Sequence, residues 1–145
     1  MKAFSLSPEA RFAIRSLLSK LLEKEERVAF SYLYGSFLDP LPFHDIDLGI
    51  YLDPPLERKS EWEFAVKLAF RLEDALRQAG YPAIPIDVNV LNHAPLSFRQ
   101  EVFRGELLSN RQDDLRVSIV TRTMLEYLDI LPLRRRAMKE ALEWD

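Results

Sequence analysis

Asp45 and Asp47 stand two residues apart in a stretch that alternates cleanly: Ile46, Leu48 and Ile50 fall on one side, Asp45, Asp47 and Gly49 on the other. On a strand such a pair projects from one face with Cα atoms roughly 7 Å apart, within reach of one bridging divalent cation. Ile84 to Leu91 repeats the pattern, with Ile86, Val88 and Val90 facing one way and Asp87 and Asn89 the other. If the two strands lie close, three carboxylates converge, and three converging anions repel unless a cation neutralises them. Two-metal phosphoryl transfer uses such a cluster: one ion lowers the pKa of an attacking hydroxyl and the other neutralises the leaving pyrophosphate, with the ions about 3.5–4 Å apart. The phosphates also need donors. Tyr34-Gly35-Ser36-Phe37 directly follows an aromatic, β-branched run from Val28 to Tyr34. The glycine lets the chain turn and brings backbone N–H groups close to an anion, and the serine adds a hydroxyl. Taken singly, a Gly-Ser after a strand is a turn, an Asp-x-Asp is a solvated edge and Asp87 is a surface acid. Their order, spacing and facing agree only in combination.

Composition narrows the metal. The chain has 145 residues, no cysteine and two histidines, so thiolate sites are excluded and a zinc site is poorly supplied. An oxygen-bound ion, magnesium or manganese, fits instead. The net charge of −3 argues against a general nucleic-acid binder. Met1-Lys2-Ala3-Phe4-Ser5 opens no signal peptide and no apolar run reaches membrane-spanning length, so a cytoplasmic protein is expected. The length and a 48% hydrophobic content fit one domain over residues 1–145.

The elements that must position the acids follow from local patterns. Ser7-Pro8-Glu9 starts a helix, with Ala10, Ala13, Ile14, Leu17, Leu18 and Leu21 on one face. Val28 to Tyr34, Asp45 to Leu52 and Ile84 to Leu91 read as strands, with a helix from about Glu57 to Ala79 ended by Gly80. A short helix over Pro95 to Phe103, a strand over Glu106 to Leu108 and a long helix capped by Asp113 or Asp114 and interrupted near Pro132 complete the order. The expected fold is α/β (α+β): a small mixed sheet with helices packed on one face, the other face partly open and carrying the acids.

Tyr34-Gly35-Ser36-Phe37, then Asp45-Ile46-Asp47-Leu48, then Ile86-Asp87-Val88 resembles the minimal nucleotidyltransferase (MNT) family, within the polymerase-β-type nucleotidyltransferases. Val88-Asn89-Val90-Leu91-Asn92-His93-Ala94-Pro95-Leu96 is similar to the family's V-V-L-N-x-A-P stretch, and Arg122 to Leu128 to its R-T-x-x-E-Y-L helix, so the resemblance spans about Val28 to Arg134. It implies the nucleotidyltransferase fold, with Asp45 and Asp47 as the metal-binding pair. Asp87 would be the third ligand and candidate base, and Gly35 and Ser36 the phosphate-holding turn. Mg²⁺ (or Mn²⁺) and ATP are the implied cofactor and substrate. The family's proteins are commonly antitoxins paired with a helical HEPN-domain toxin, and some transfer AMP onto a toxin tyrosine. One departure concerns the loop: many members read Gly-Ser-x-Ala-Arg-Gly, whereas here Phe37 leads into Leu38-Asp39-Pro40-Leu41-Pro42-Phe43-His44. The Arg-Gly is missing, which bears on triphosphate contacts and nucleotide preference, and Asp39 adds a negative charge.

The expected function is therefore Mg²⁺-dependent transfer of AMP from ATP to a tyrosine of a HEPN-type toxin. The alternative is a non-catalytic antitoxin that acts by covering its partner, with a vestigial or nucleotide-sensing site. A small-molecule nucleotidyltransferase would need an additional acceptor-binding domain, which a chain of this length disfavours. His44 reads as a water-exposed loop residue and His93 as structural. Arg134-Arg135-Arg136, followed by Glu140, Glu143 and Asp145, reads as a solvated helix face. Trp62, Phe64 and Phe70 do not share one stripe, so exposed members would mark a protein interface. Tyr32, Tyr34 and Tyr51 are expected to line the strands and pack. No membrane or nucleic-acid partner is expected; homo- and hetero-oligomers both stay open.

Overall fold

The computed structural model describes residues 2–143; Met1 and the Asp145 of the acidic run lie outside them. The elements are α1 (Pro8–Glu23), β1 (Val28–Tyr34), β2 (Ile46–Leu52), α2 (Arg58–Gln78), β3 (Ile86–Val90), α3 (Leu96–Phe103), β4 (Glu106–Asn110) and α4 (Asp113–Glu143). This is the order read from the sequence. Ser7 caps α1 as expected: its Oγ accepts the Ala10 N–H at 3.1 Å, a cap worth about 1 kcal/mol.

The strands form one mixed sheet in the order β3-β2-β1-β4. β1 runs antiparallel to both β2 and β4, and β2 pairs parallel with β3. A parallel pair needs a crossover, and α2 provides it. Asn92 fixes where that pair ends: its side-chain amide accepts the Leu52 N–H and donates to the Leu52 carbonyl, both at 2.8 Å.

The alternation in β2 and β3 divides the molecule into two cores. Ile46, Leu48, Ile50, Ile86 and Val88 are buried with Ile14, Leu18 and Leu22 of α1 and Leu68, Leu72 and Leu76 of α2. These two helices are the expected layer on one face. The opposite face is covered further than expected. Phe30 and Tyr32 of β1 are buried there with Val102 and Phe103 of α3 and Ile119 of α4. Gly49 lies on this face, and a Cβ added to it would come within 2.5 Å of Val102 Cγ1. The missing side chain is what lets α3 settle on the sheet. α3 and the first turns of α4 thus close one part of the second face, leaving the carboxylate corner accessible, with Asp87 exposed and Asp45 and Asp47 half-buried.

The interruption expected near Pro132 is absent: α4 continues through it. Proline removes one helical N–H, but its fixed φ is helical and this part of α4 is exposed, so the carbonyl it leaves free can be hydrated.

The loop between β1 and β2 is built around Arg11, which is only 7% exposed. Its guanidinium donates to the carbonyls of Phe37 (2.5 Å), Leu41 (2.9 Å) and Leu6 (3.4 Å). It also lies over the rings of Phe37 and Phe43, at 5.4 and 4.8 Å. Phe43 packs on Phe37 and Phe4. A buried cation is tolerated here because carbonyl dipoles and ring faces replace its water. Arg11→Met keeps the stem and removes the donors, so it is expected to cost about 2 kcal/mol. Amides of the 37–43 loop should then exchange hydrogen faster, while those of β2 stay protected.

Candidate active site

β2 delivers two of the acids and β3 the third. Asp47 and Asp87 are direct partners in the parallel register, and Tyr34, the last residue of β1, pairs with Asp47 from the other side. Asp45 precedes β2 by one residue, close enough for its charge to act on Asp47. The sheet therefore brings all three predicted carboxylates to one corner.

Gly35 follows β1 directly, with φ at +83°, a conformation that L side chains avoid. A Cβ there would overlap Asp47 Oδ2. The turn that should hold phosphate and the strand that should hold metal are thus fitted to each other through the absence of one methyl group. Ser36 opens a single 3₁₀ turn, Ser36–Leu38, which Arg11 anchors through Phe37; Gly35 and Ser36 are both exposed.

Electrostatics in the corner are dominated by repulsion. Asp47 is pushed up from 3.8 to about 6, first by burial, then by the charges of Asp45 and Asp87. Every charged neighbour that moves it is an acid, and a hard divalent cation suits an all-carboxylate donor set. Asp87 Oδ2 meanwhile accepts from Asn89 Nδ2 at 3.3 Å, and the same amide donates to the Tyr34 hydroxyl at 3.0 Å. Among the described residues, no group of three or more acidic or histidine side chains is placed to hold a metal ion.

Two residues escaped the sequence reading. Tyr34 was expected only to pack; its ring does meet Phe98 edge-on, but its hydroxyl reaches the acid corner. Burial, with Asp47 next, holds that phenol well above its ordinary value, so it stays protonated. Its parity, matching that of Phe30 and Tyr32 on the second face, was the available signal. Arg11 gave one by position, three residues before Ile14 and seven before Leu18 on the buried stripe of α1, but its charge pointed to water. His44 is exposed as expected, its Nδ1 3.0 Å from the Lys2 carbonyl. His93 meets Glu61 of α2 and ties the Asn92 turn to that helix.

No curated protein matches the sequence. Solved structures do. A chain of the tri-AMPylated Shewanella oneidensis HEPN toxin in complex with MNT antitoxin superposes with a TM-score of 0.63 at 22% identity, covering 91% of this chain and 98% of that one. A chain of the MntA–HepT toxin–antitoxin superposes at 0.61 with 21% identity, covering 90% and 97%. A toxin–antitoxin with AMP-PNP gives 0.62 and 21%, covering 89% and 98%. At such identities the likeness establishes the fold. The family described as "Polymerase beta, Nucleotidyltransferase" matches residues 17–114, a span that holds β1, Gly35-Ser36, all three acids and β4. On that match, over more than half of its length, the chain belongs to the polymerase-β nucleotidyltransferase family.

Proposed function

We propose that this chain transfers AMP from ATP to a tyrosine hydroxyl of a HEPN-type toxin and thereby acts as its antitoxin. The observation that carries the reading is the contact between turn and strand: Gly35 is shaped to Asp47, and Asp47 is in register with Asp87. The solved complex of a tri-AMPylated HEPN toxin with MNT antitoxin supports the partner and the transferred group, and the MntA–HepT toxin–antitoxin supports the antitoxin role. Asp45, Asp47 and Asp87 would hold Mg²⁺, which supplies charge neutralisation on the phosphates and lowers the pKa of the attacking hydroxyl. Gly35 and Ser36 orient the phosphates. Asp87 stands at the exposed rim of the corner, where it can take the acceptor's proton. Asn89 holds that carboxylate and the Tyr34 hydroxyl together in the free protein. No helix among the described residues is long and apolar enough to cross a membrane, and a cytoplasmic location accords with ATP as substrate.

Calorimetric titration of ATP with and without Mg²⁺, followed by intact-mass measurement of the toxin after incubation, tests this. Mg²⁺-dependent ATP binding and addition of adenylate to the toxin are expected; a toxin neutralised without any gain in mass would sink the catalytic reading. A binding-only antitoxin is the second reading, favoured by one observation: Asp39 is exposed in the loop that lacks the Arg-Gly. Under that reading Asp45→Asn/Asp47→Asn would still neutralise the toxin.

A further inference from the structure

β3 ends the sheet, and a groove of about 340 Å³ runs along its free edge between the strand and α2. The floor is kept low by Ala65 and Ala69. Two large side chains on the α2 flank wall it, Trp62 and Phe70, and they are 74% and 62% exposed. Two exposed aromatics at i and i+8 beside a strand edge form an apolar surface that water leaves poorly solvated. Beyond Phe70 and Glu73 the groove continues into a second depression beside Ala83–Pro85. At its near end Asp87 and Asn89 form part of the lining.

The polar side of this groove is backbone. In the parallel ladder the Pro85 carbonyl accepts from Ile46 N–H and Leu91 N–H donates to the Ile50 carbonyl. The odd-numbered residues of β3 therefore face β2, and the N–H and C=O groups of Ile86, Val88 and Val90 point outward. Glu73 accepts the Ile86 N–H at 3.2 Å. The amides of Val88 and Val90 continue the same edge.

We propose that this edge is the acceptor site: an extended segment of the partner pairs with β3 as a fifth strand and presents its tyrosine to Asp87. The inference rests on the transfer reading above. Its geometry follows from strand parity. A residue placed opposite Asp87 projects from the same face, with its Cβ about 5 Å from that of Asp87. Its two neighbours in the segment turn to the other face and meet Trp62 and Phe70. The acceptor sequence is thus apolar–tyrosine–apolar. The charged residues lining the groove and its continuation are Glu73, Asp74 and Asp87, against Arg77 alone, which pairs with Asp74, so the segment carries basic rather than acidic flanks. In the transfer, the tyrosyl oxygen bonds to the α-phosphorus of ATP and the bond from that phosphorus to the bridging oxygen breaks. Pyrophosphate leaves, and the hydroxyl proton passes to Asp87.

The test uses the full chain and its complex with the HEPN-type partner. Hydrogen exchange should slow at least tenfold at Val88 and Val90 in the complex relative to the free chain. Trp62→Ala/Phe70→Ala should lower AMP transfer at least tenfold through a raised KM for the acceptor, with ATP·Mg²⁺ affinity and melting temperature unchanged. Undiminished transfer by the double variant, or unprotected Val88 and Val90 amides, overturns the proposal. So does protection of those amides in the free chain by self-association, read from sedimentation. If the wild type binds ATP·Mg²⁺ but adds no adenylate to the partner, it is the transfer reading that fails, and the edge is then decided by amide protection alone.

Discussion

Replacing Asp45 and Asp47 together by asparagine is expected to lower AMP transfer by on the order of a thousandfold, and also to raise the melting temperature of the metal-free protein. The first effect follows from removing two of three carboxylates that a divalent ion would need. The second follows from the repulsion they suffer without one. Asp47 holds its proton up to a pH of about 6 in the folded chain, against 3.8 ordinarily. Between those values the folded state binds more protons than the unfolded one, so stability falls as the pH rises through that window. Above pH 6 the wild type carries the whole penalty; below about pH 4 the advantage of the variant disappears. Because the carboxyl is half in water, the penalty is about 1 kcal/mol, or roughly 3 °C. Thermal melts in EDTA from pH 4 to pH 8 read it directly. Saturating Mg²⁺ should then stabilise the wild type and not the variant. A variant less stable than the wild type at pH 7.5 in EDTA would contradict this account of the corner.

Gly35→Ala should disable the site without deleting any chemical group. Alanine at a φ of +83° costs about 1 kcal/mol, and its methyl would displace the Asp47 carboxylate. We expect a loss of stability of about 1–3 kcal/mol and a fall in kcat on the order of a hundredfold. Gly80→Ala is the control. Gly80 also has a positive φ, +94°, but an added Cβ meets nothing within 4 Å. It should lower the melting temperature and leave transfer intact. Equal activity losses in the two variants would mean that backbone strain alone, and not the contact with Asp47, disables Gly35→Ala.

Much of this arrangement could be read from local pattern. The alternation in Asp45-Ile46-Asp47-Leu48-Gly49-Ile50 puts both acids on one face, because the opposite face must be buried against α1 and α2. The Ser7-Pro8 cap and the Gly80 stop bound their helices by backbone chemistry that needs no tertiary context. What local pattern could not supply was long-range. Register between β2 and β3 depends on Asn92 clasping Leu52, 40 residues away. The second core depends on aromatic residues of β1 that share a face of the sheet with the acids and so look like part of an open face. Arg11 shares the buried stripe of α1 with Ile14, Leu18 and Leu22, but its charge reads as solvent-facing until the loop that folds over it supplies carbonyls and rings. Pro132 reads as a break because sequence rules assume that the freed carbonyl goes unsatisfied, which exposure to water prevents.

From Pro132 to Glu143 every residue of α4 is exposed, a rod of about 18 Å supported by nothing but its own hydrogen bonds. Helices of that length unwind readily when nothing packs on them, and unwound chain is what proteases bind. Cleavage would therefore begin there, about fifty residues beyond Asp87 in sequence, and would spare the sheet. Susceptibility to cleavage and the chemistry of the acid corner would thus lie in separate parts of the chain.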